Sequence, residues 1–270
     1  MYLAMDDFGD DNLENLISLG DAQEKWQFLA RLAQEFGCPG IQITPWLYEQ
    51  KLGLDLDAIP AAFTDFRLTY HIGGVRPLVD ARDCRRLDKR LALGLDRAVK
   101  SGFEDVSFHP PRLTEVGRKH SKEQLAGLVE RWLPRFAARG VTFSLETHVS
   151  GDIFIFDGLA DFRRFVQRFP ELGVLIDVSH NVYDGYGVDE IISFSAGLRI
   201  TGLHLSDARS DLPFDQGTHL PVGSGEIAFA PLVAEFSSSD ICAALEVKGD
   251  SDNLTASFEK LQNLQDNLYI

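Results

Sequence analysis

Residues Val141 to His148 read Val-Thr-Phe-Ser-Leu-Glu-Thr-His, and their two-residue alternation decides how the chain folds. Side chains two apart on a β-strand share a face. Thr142, Ser144 and Glu146 therefore point one way and Val141, Phe143 and Leu145 the other. The bulky apolar set must face helices, while the small polar set, ending in a carboxylate, leaves room at the strand's C-terminal end. A helical pattern follows at Leu159 to Phe169, and then a second strand, Val174 to Asp177, that again ends in an acid.

The same alternation extends in both directions. Strands are predicted at Tyr2 to Met5, Gly40 to Thr44, Phe66 to His71, Asp105 to His109, Val141 to Glu146, Val174 to Asp177, Ile200 to Leu205 and Ile241 to Val247. Between and after them lie helical patterns at Asp21 to Phe36, Asp80 to Ser101, Ser121 to Arg139, Leu159 to Phe169, Asp189 to Ala196, Phe229 to Glu235 and Asn253 to Leu268. Several stop at a glycine, as at Gly37, Gly102, Gly140 and Gly197. Regular alternation of strand and helix indicates a parallel sheet, and eight such units fit an α/β fold of the closed (β/α)8 TIM barrel type. An open doubly wound sheet is the competitor, but its Gly-x-Gly-x-x-Gly fingerprint is missing after the early strands. No repeat, low-complexity tract or linker divides the chain, so residues 1–270 read as one domain.

Composition narrows the function. The chain has 41 Asp and Glu against 26 Lys and Arg, a formal charge of −15, which disfavours nucleic acid and anionic membranes as partners. The basic run from Arg82 to Arg97 carries Leu87, Leu91 and Leu95 at i, i+4, i+8 and reads as a solvated helix face. No apolar run approaches the roughly 18 residues of a membrane span. Met1 to Asp10 lacks a basic n-region, and the expected compartment is the cytoplasm. Cys38, Cys84 and Cys242 are widely spaced and odd in number, which fits reduced thiols. Any metal must then be held by histidines and carboxylates.

Those side chains fall at strand ends, where a barrel builds its active site. His71, His109, Glu146, Asp177, His204 and Glu246 close six consecutive strands. A lone strand histidine is ordinarily a hydrogen-bonded rim residue, but six metal-capable groups on one rim call for another account. Glu146, Asp177 and Glu246 brought together without a cation would repel one another at a cost of several kcal/mol. A divalent ion removes the conflict, and mixed carboxylate and imidazole ligation suits Mn, Zn, Co or Mg without selecting one. His148 follows Glu146 by two and reads as a ligand or as a donor to one of the ligands, whereas His120 reads as surface. Val222-Gly223-Ser224-Gly225-Glu226 offers backbone N–H groups to a phosphate or merely starts a helix. Lys248 reads as a substrate contact or as half of a salt bridge, and Trp46 with Tyr48 as a wall against a sugar ring or as loop packing.

The motif train LETH, DVSHN, HLSDA, HLPVGSGEI and LEVK resembles the xylose isomerase-like barrel superfamily, which holds sugar and sugar-phosphate isomerases and epimerases together with apurinic-site endonucleases. The resemblance runs from about Phe66 to the C-terminus. In the isomerase branch it implies one metal on Glu146, Asp177, His204 and Glu246. In the endonuclease branch it adds zinc ligands matched by His71 and His109, with Glu146 shared, and a third zinc on His180 and an Asp-x-His pair ending at His219. Gly217 stands where that Asp belongs, so one or two ions are expected and His180 and His219 are assigned to substrate.

Two chemistries follow from the resemblance. In the first, a divalent-metal-dependent isomerase or epimerase acts on a small carbohydrate. Glu146 and Glu246 then exchange a substrate proton through an enediolate, and His180, His219, Lys248 and Trp46 contact the sugar. In the second, a zinc-dependent phosphodiesterase uses His71 and His109 as added ligands.

Overall fold

The computed structural model describes residues 1–6, 9–59, 63, 65–74, 76–78 and 81–269. Eight strands, β1 (Tyr2–Met5), β2 (Gly40–Ile43), β3 (Arg67–Ile72), β4 (Asp105–Phe108), β5 (Thr142–Glu146), β6 (Gly173–Asp177), β7 (Ile200–Leu205) and β8 (Cys242–Leu245), pair in chain order, all parallel, into a closed barrel. The (β/α)8 TIM barrel expected from strand alternation is the fold observed.

Helices α1 (Asp10–Ser18) and α2 (Ala22–Glu35) follow β1, α3 (Ala81–Ser101) follows β3, and α4 (Arg118–Ala137) and α5 (Leu159–Val166) follow β4 and β5. After β6 come α6 (Val178–Tyr183) and α7 (Val188–Ser195), after β7 come α8 (Phe214–Gly217) and α9 (Phe229–Phe236), and α10 (Ser251–Asp266) ends the barrel. The sequence reading lacks α1, α6 and α8. Helix α1 buries only Leu16, so its apolar stripe is too thin to register. Helices α6 and α8 are barely a turn or two long. The expected start of α3 at Asp80 lies outside the described residues. A π-helical turn, Trp46–Lys51, follows β2.

The two faces of the strands build different interiors. Facing outward, Ile41, Tyr70, Phe108, Phe143, Leu145, Ile176, Leu203 and Leu245 join buried helix residues in one continuous core. There Phe108 and Phe136 lie parallel to Phe143 on either side, at centroid distances of 5.0 and 4.5 Å. Leu87, Leu91 and Leu95 of α3 enter this core, as the amphipathic spacing required. The lumen is instead small and polar. Ala4, Cys242 and Ala244 form a separate cluster, and Thr69 Oγ1 donates to Gln42 Oε1 across it at 3.4 Å. Glycine makes this closeness feasible: a Cβ on Gly173 would lie 2.2 Å from Ser144 Oγ, and one on Gly40 2.6 Å from the Tyr2 ring. A bulge between β6 and β7 sets Thr201 and Gly202 against Leu175 and lets Thr201 Oγ1 meet Ser144 Oγ at 2.8 Å.

At the lumen floor Ser144 Oγ donates to Asp105. Burial pushes the Asp105 carboxyl up to about 7, against that hydrogen bond and the pull of Arg199. An acid whose folded pKa is raised binds more protons folded than unfolded between roughly pH 4 and 7, so it lowers stability as pH rises through that window. Asp105→Asn is therefore expected to raise Tm at pH 8 by several degrees while leaving it unchanged near pH 4, measured by thermal denaturation at both pH values.

Candidate metal centre

The strand order brings the six strand-end side chains and two loop histidines into three overlapping groups. His71, His109 and Glu146 form the first, Glu146, Asp177, His204 and Glu246 the second, and Asp177, His180 and His219 the third; within each group, one ligand atom per residue lies within 4.8 Å of all the others. Glu146 belongs to the first and second groups, Asp177 to the second and third.

Glu146 closes β5 and is wholly buried. Its Oε2 lies 2.9 Å from His109 Nε2 and 3.4 Å from His71 Nε2, and its Oε1 is 3.1 Å from His204 Nδ1. Glu246, one residue beyond β8, brings Oε2 within 3.0 Å of the same His204 Nδ1. Asp177 serves twice. Its Oδ1 accepts from His180 N–H at 2.8 Å and so caps α6, while Oδ2 lies 3.1 Å from His180 Nδ1. His180 Nε2 in turn meets His219 Nε2 at 3.1 Å.

Several of these contacts lack the alignment of a hydrogen bond. Glu146 Oε2, Asp177 Oδ2, His180 Nδ1 and His148 Nδ1 are buried with no hydrogen-bond partner. Nitrogens and oxygens that approach within about 3 Å without pointing at one another converge on a shared point between them. A donor set of imidazole nitrogens and carboxylate oxygens in that arrangement fits a divalent ion such as zinc or manganese. Orphaned polar atoms at this depth are otherwise costly.

The charges are mutually adjusted. Burial would raise the Glu146 carboxyl, but His109 and His204 outweigh it and hold it well below the usual range. Burial likewise opposes ionisation of Glu246, and His219 and His204 prevail. Asp177 goes the other way: burial raises it to about 6, helped by Glu246 and Glu146 and resisted by His219. Among the imidazoles, His204 is held protonated against burial by Glu246 and Glu146. Burial pushes His71 down to about 3, so its ring stays neutral, and depresses His180 with help from His148 and His219.

Neighbouring groups aim each ring, as outer-shell partners do for metal ligands. Ser107 Oγ lies 3.0 Å from His71 Nδ1, leaving Nε2 to face the first group. The Gln42 amide lies 2.8 Å from His204 Nε2, which turns Nδ1 toward the carboxylates. Gly74 N–H donates to His109 Nδ1 at 3.2 Å. These three partners carry no signature in the sequence, because an amide, a hydroxyl and a glycine N–H gain meaning only from what the barrel sets beside them.

The loop bearing His219 is tied down by Asp207. Its carboxylate accepts from the N–H groups of Gly223 (2.8 Å), Gly225 (2.9 Å), Ile227 (3.0 Å) and Ala208 (2.9 Å). The glycine turn that offered N–H groups to a phosphate thus spends them on a buried side chain. Asp207 also exchanges two backbone bonds with Leu220, and His219 holds φ 58°, the single positive φ outside glycine among the described residues. Lys248, read as a substrate or salt-bridge residue, instead donates its ammonium to the carbonyls of Asp215 (3.0 Å) and Thr218 (3.4 Å), so it holds the His219 loop. His148 lies between the first and third groups, with ring centroids 5.3 Å from His109 and 4.7 Å from His180. Trp46 is exposed at the mouth with Lys51 Nζ 5.1 Å over its ring, Tyr48 is buried, and His120 is on the surface.

Comparison with known proteins places the barrel in a family. The sequence profile described as Xylose isomerase-like TIM barrel matches residues 30–266. The chain belongs to that family. Two proteins named "Probable endonuclease 4" align with it. The one from Campylobacter concisus is 25% identical over 58% of this chain and 61% of its own length, so the match spans less than two thirds of that relative. The one from Chlorobium phaeobacteroides is 29% identical over 67% and 72%. Among solved structures, a D-tagatose 3-epimerase-like protein has TM-score 0.71 and 15% identity over 100% of this chain and 98% of its own. The TTHB071 protein from Thermus thermophilus, soaked with zinc chloride, has TM-score 0.66 and 21% identity over 99% of each chain. Two further solved structures that share the fold are a D-allulose 3-epimerase from Methylomonas, at 14% identity and TM-score 0.70, and a 3-keto-D-glucoside 4-epimerase from E. coli, at 15% and 0.70. No helix among the described residues is long and apolar enough to cross a membrane.

Two substitutions probe the supports. Gln42→Ala should weaken metal retention about 10–100-fold, read by competition with a chelator, while the circular dichroism spectrum is unchanged. Asp207→Ala strands four N–H groups and should cost about 3 kcal/mol or more in a denaturant titration.

Proposed function

We propose that this chain is a multinuclear, divalent-metal-dependent hydrolase of phosphate esters carried on a sugar. One observation carries the reading: the two oxygens of Glu146 are divided, Oε2 toward His71 and His109 and Oε1 toward His204. Glu146 thus faces both residue groups at once and would supply an oxygen to an ion held in either, a role that competes with taking a proton from carbon. Asp177 has the same shared position. Ions held by these residues would stabilise charge on phosphoryl oxygens and acidify a water. Glu246 is the part-exposed carboxylate of the site. It is placed to accept the proton of the attacking water as the water oxygen bonds to phosphorus. The P–O bond to the sugar breaks, and the leaving alkoxide takes a proton from solvent at the open mouth. The name endonuclease 4 borne by two relatives supports hydrolysis, while the −15 charge favours a small sugar ester over long DNA.

A second reading, isomerisation or epimerisation of a carbohydrate, is favoured by the completeness of the Glu146, Asp177, His204 and Glu246 group, which could serve alone with one ion. Glu246 would then remove a proton from the carbon beside a carbonyl and Glu146 would return it.

The two separate by metal stoichiometry and product. On the hydrolase reading, elemental analysis of untreated protein gives more than one ion per chain. His71→Ala loses one of them and Glu146→Ala loses two, and a chromogenic phosphodiester or a sugar phosphate releases its ester product. A single ion per chain in the wild type, undiminished in His71→Ala, together with deuterium uptake from deuterated water into a ketose and no ester cleavage, would establish the isomerase instead.

A further inference from the structure

The basic run of α3 divides in two once folded. Arg97 turns inward and is buried, donating to Glu49 (2.5 Å), Asp57 (2.9 Å) and Tyr70 Oη (2.9 Å). Arg86, Lys89 and Arg90 stay outside and, with Arg76 of the β3–α3 loop, line a cavity of about 430 Å³. A second cavity of about 710 Å³ shares Gly74, Arg76 and Arg90 with it and extends to the exposed Trp46. The two make one groove along the barrel mouth.

The groove is electrostatically unlike the rest of the molecule. Four cations line it against two carboxylates, Asp83 and Glu49, which already engage Arg86 at 3.5 Å and Arg97. Arg76 and Lys89 have no ion-pair partner among the described residues. In a chain of −15, a local excess of positive charge in a concave surface focuses attraction on anions. The groove also connects to the candidate metal centre. Arg90 donates to the carbonyls of Gly73 (2.6 Å) and Gly74 (3.4 Å), and Gly74 N–H reaches His109. Gly73 passes so near the first group that a Cβ there would lie 3.6 Å from His71 Nε2.

We propose that this groove is a subsite for a phosphate group of the substrate, with Arg76, Arg86 and Lys89 as its anion-binding side chains and Trp46 as the wall for the attached sugar. Guanidinium and ammonium groups supply charge-assisted hydrogen bonds to phosphate oxygens, and an indole face packs against a sugar ring. The proposal rests on the phosphate-ester reading for the direction of the substrate's reacting end. Binding itself does not depend on turnover.

The test is calorimetric titration of the protein as purified with ribose 5-phosphate, ribose, inorganic phosphate and a short single-stranded oligonucleotide. Each is repeated with the triple variant Arg76→Gln, Arg86→Gln, Lys89→Gln, whose exposed positions tolerate glutamine. The expected result is at least tenfold weaker ribose 5-phosphate binding by the variant with a flatter salt dependence, unchanged ribose binding and unchanged metal content. Loss of binding for the oligonucleotide alone would overturn the assignment to a sugar phosphate. Equal affinity of wild type and variant for every phosphate-bearing probe, or no preference of the wild type for ribose 5-phosphate over ribose, would overturn it. Variant-sensitive binding without ester cleavage in any assay would remove the hydrolase reading and leave the subsite standing.

Discussion

Three carboxylates and a set of imidazoles share a largely buried site at the head of this barrel, and their mutual compensation is the constraint on which the remaining architecture depends. Glu146 and Asp177 are fully buried, where an isolated charge would be driven to neutrality. Glu146 and Glu246 stay ionised through the histidines beside them, and His204 stays protonated through Glu246 and Glu146. Such a site tolerates little displacement, since a removed partner leaves an uncompensated charge. The same balance makes it receptive to cations, because a bound ion would take over the neutralising role of the protonated imidazoles.

The barrel meets that constraint with a division of labour between the faces of its strands. Stability comes from the outward face, where aromatic and branched side chains pack against helices. The lumen sacrifices apolar bulk: alanine, glycine, serine and threonine occupy positions that barrels of this type commonly fill with Val, Ile and Leu. Small residues allow long ligand side chains to reach the axis, and Gln42 and Ser107 use the freed volume to orient rings. The loops are fixed by equally specific means. Asp207 gathers four N–H groups, Lys248 clamps two carbonyls, and Arg90 holds Gly73 and Gly74, so the segments around His219 and His109 are held by polar ties.

Electrostatics also separates the site from the molecular surface. An acidic exterior repels polyanions at long range, yet the α3 groove beside the metal ligands is basic. At physiological ionic strength, screening over about 8 Å lets these opposite fields coexist. A compact anion that enters the mouth experiences the groove, while an extended one also meets the acidic exterior.

The two-residue period of Val141 to Glu146 and its counterparts was enough to determine eight strands, their inward faces and the six polar side chains at their ends, because alternation in a strand is a local property. Local pattern also located most helices. What it could not determine was distance between segments far apart in the chain. Gly217 in place of an acid argued against a third ligand group, yet the tertiary structure supplies the carboxylate from Asp177, on another strand, beside His180 and His219. The glycine turn at 222–226 looked open to a phosphate until folding brought Asp207 under its N–H groups. The run from Arg82 to Arg97 looked like a single solvated face, and the fold turned one end into an ion-pair cluster around the buried Arg97 and the other into a groove. In each case the residue type fixed what a group can do, and only the closing of the barrel decided which partner it meets.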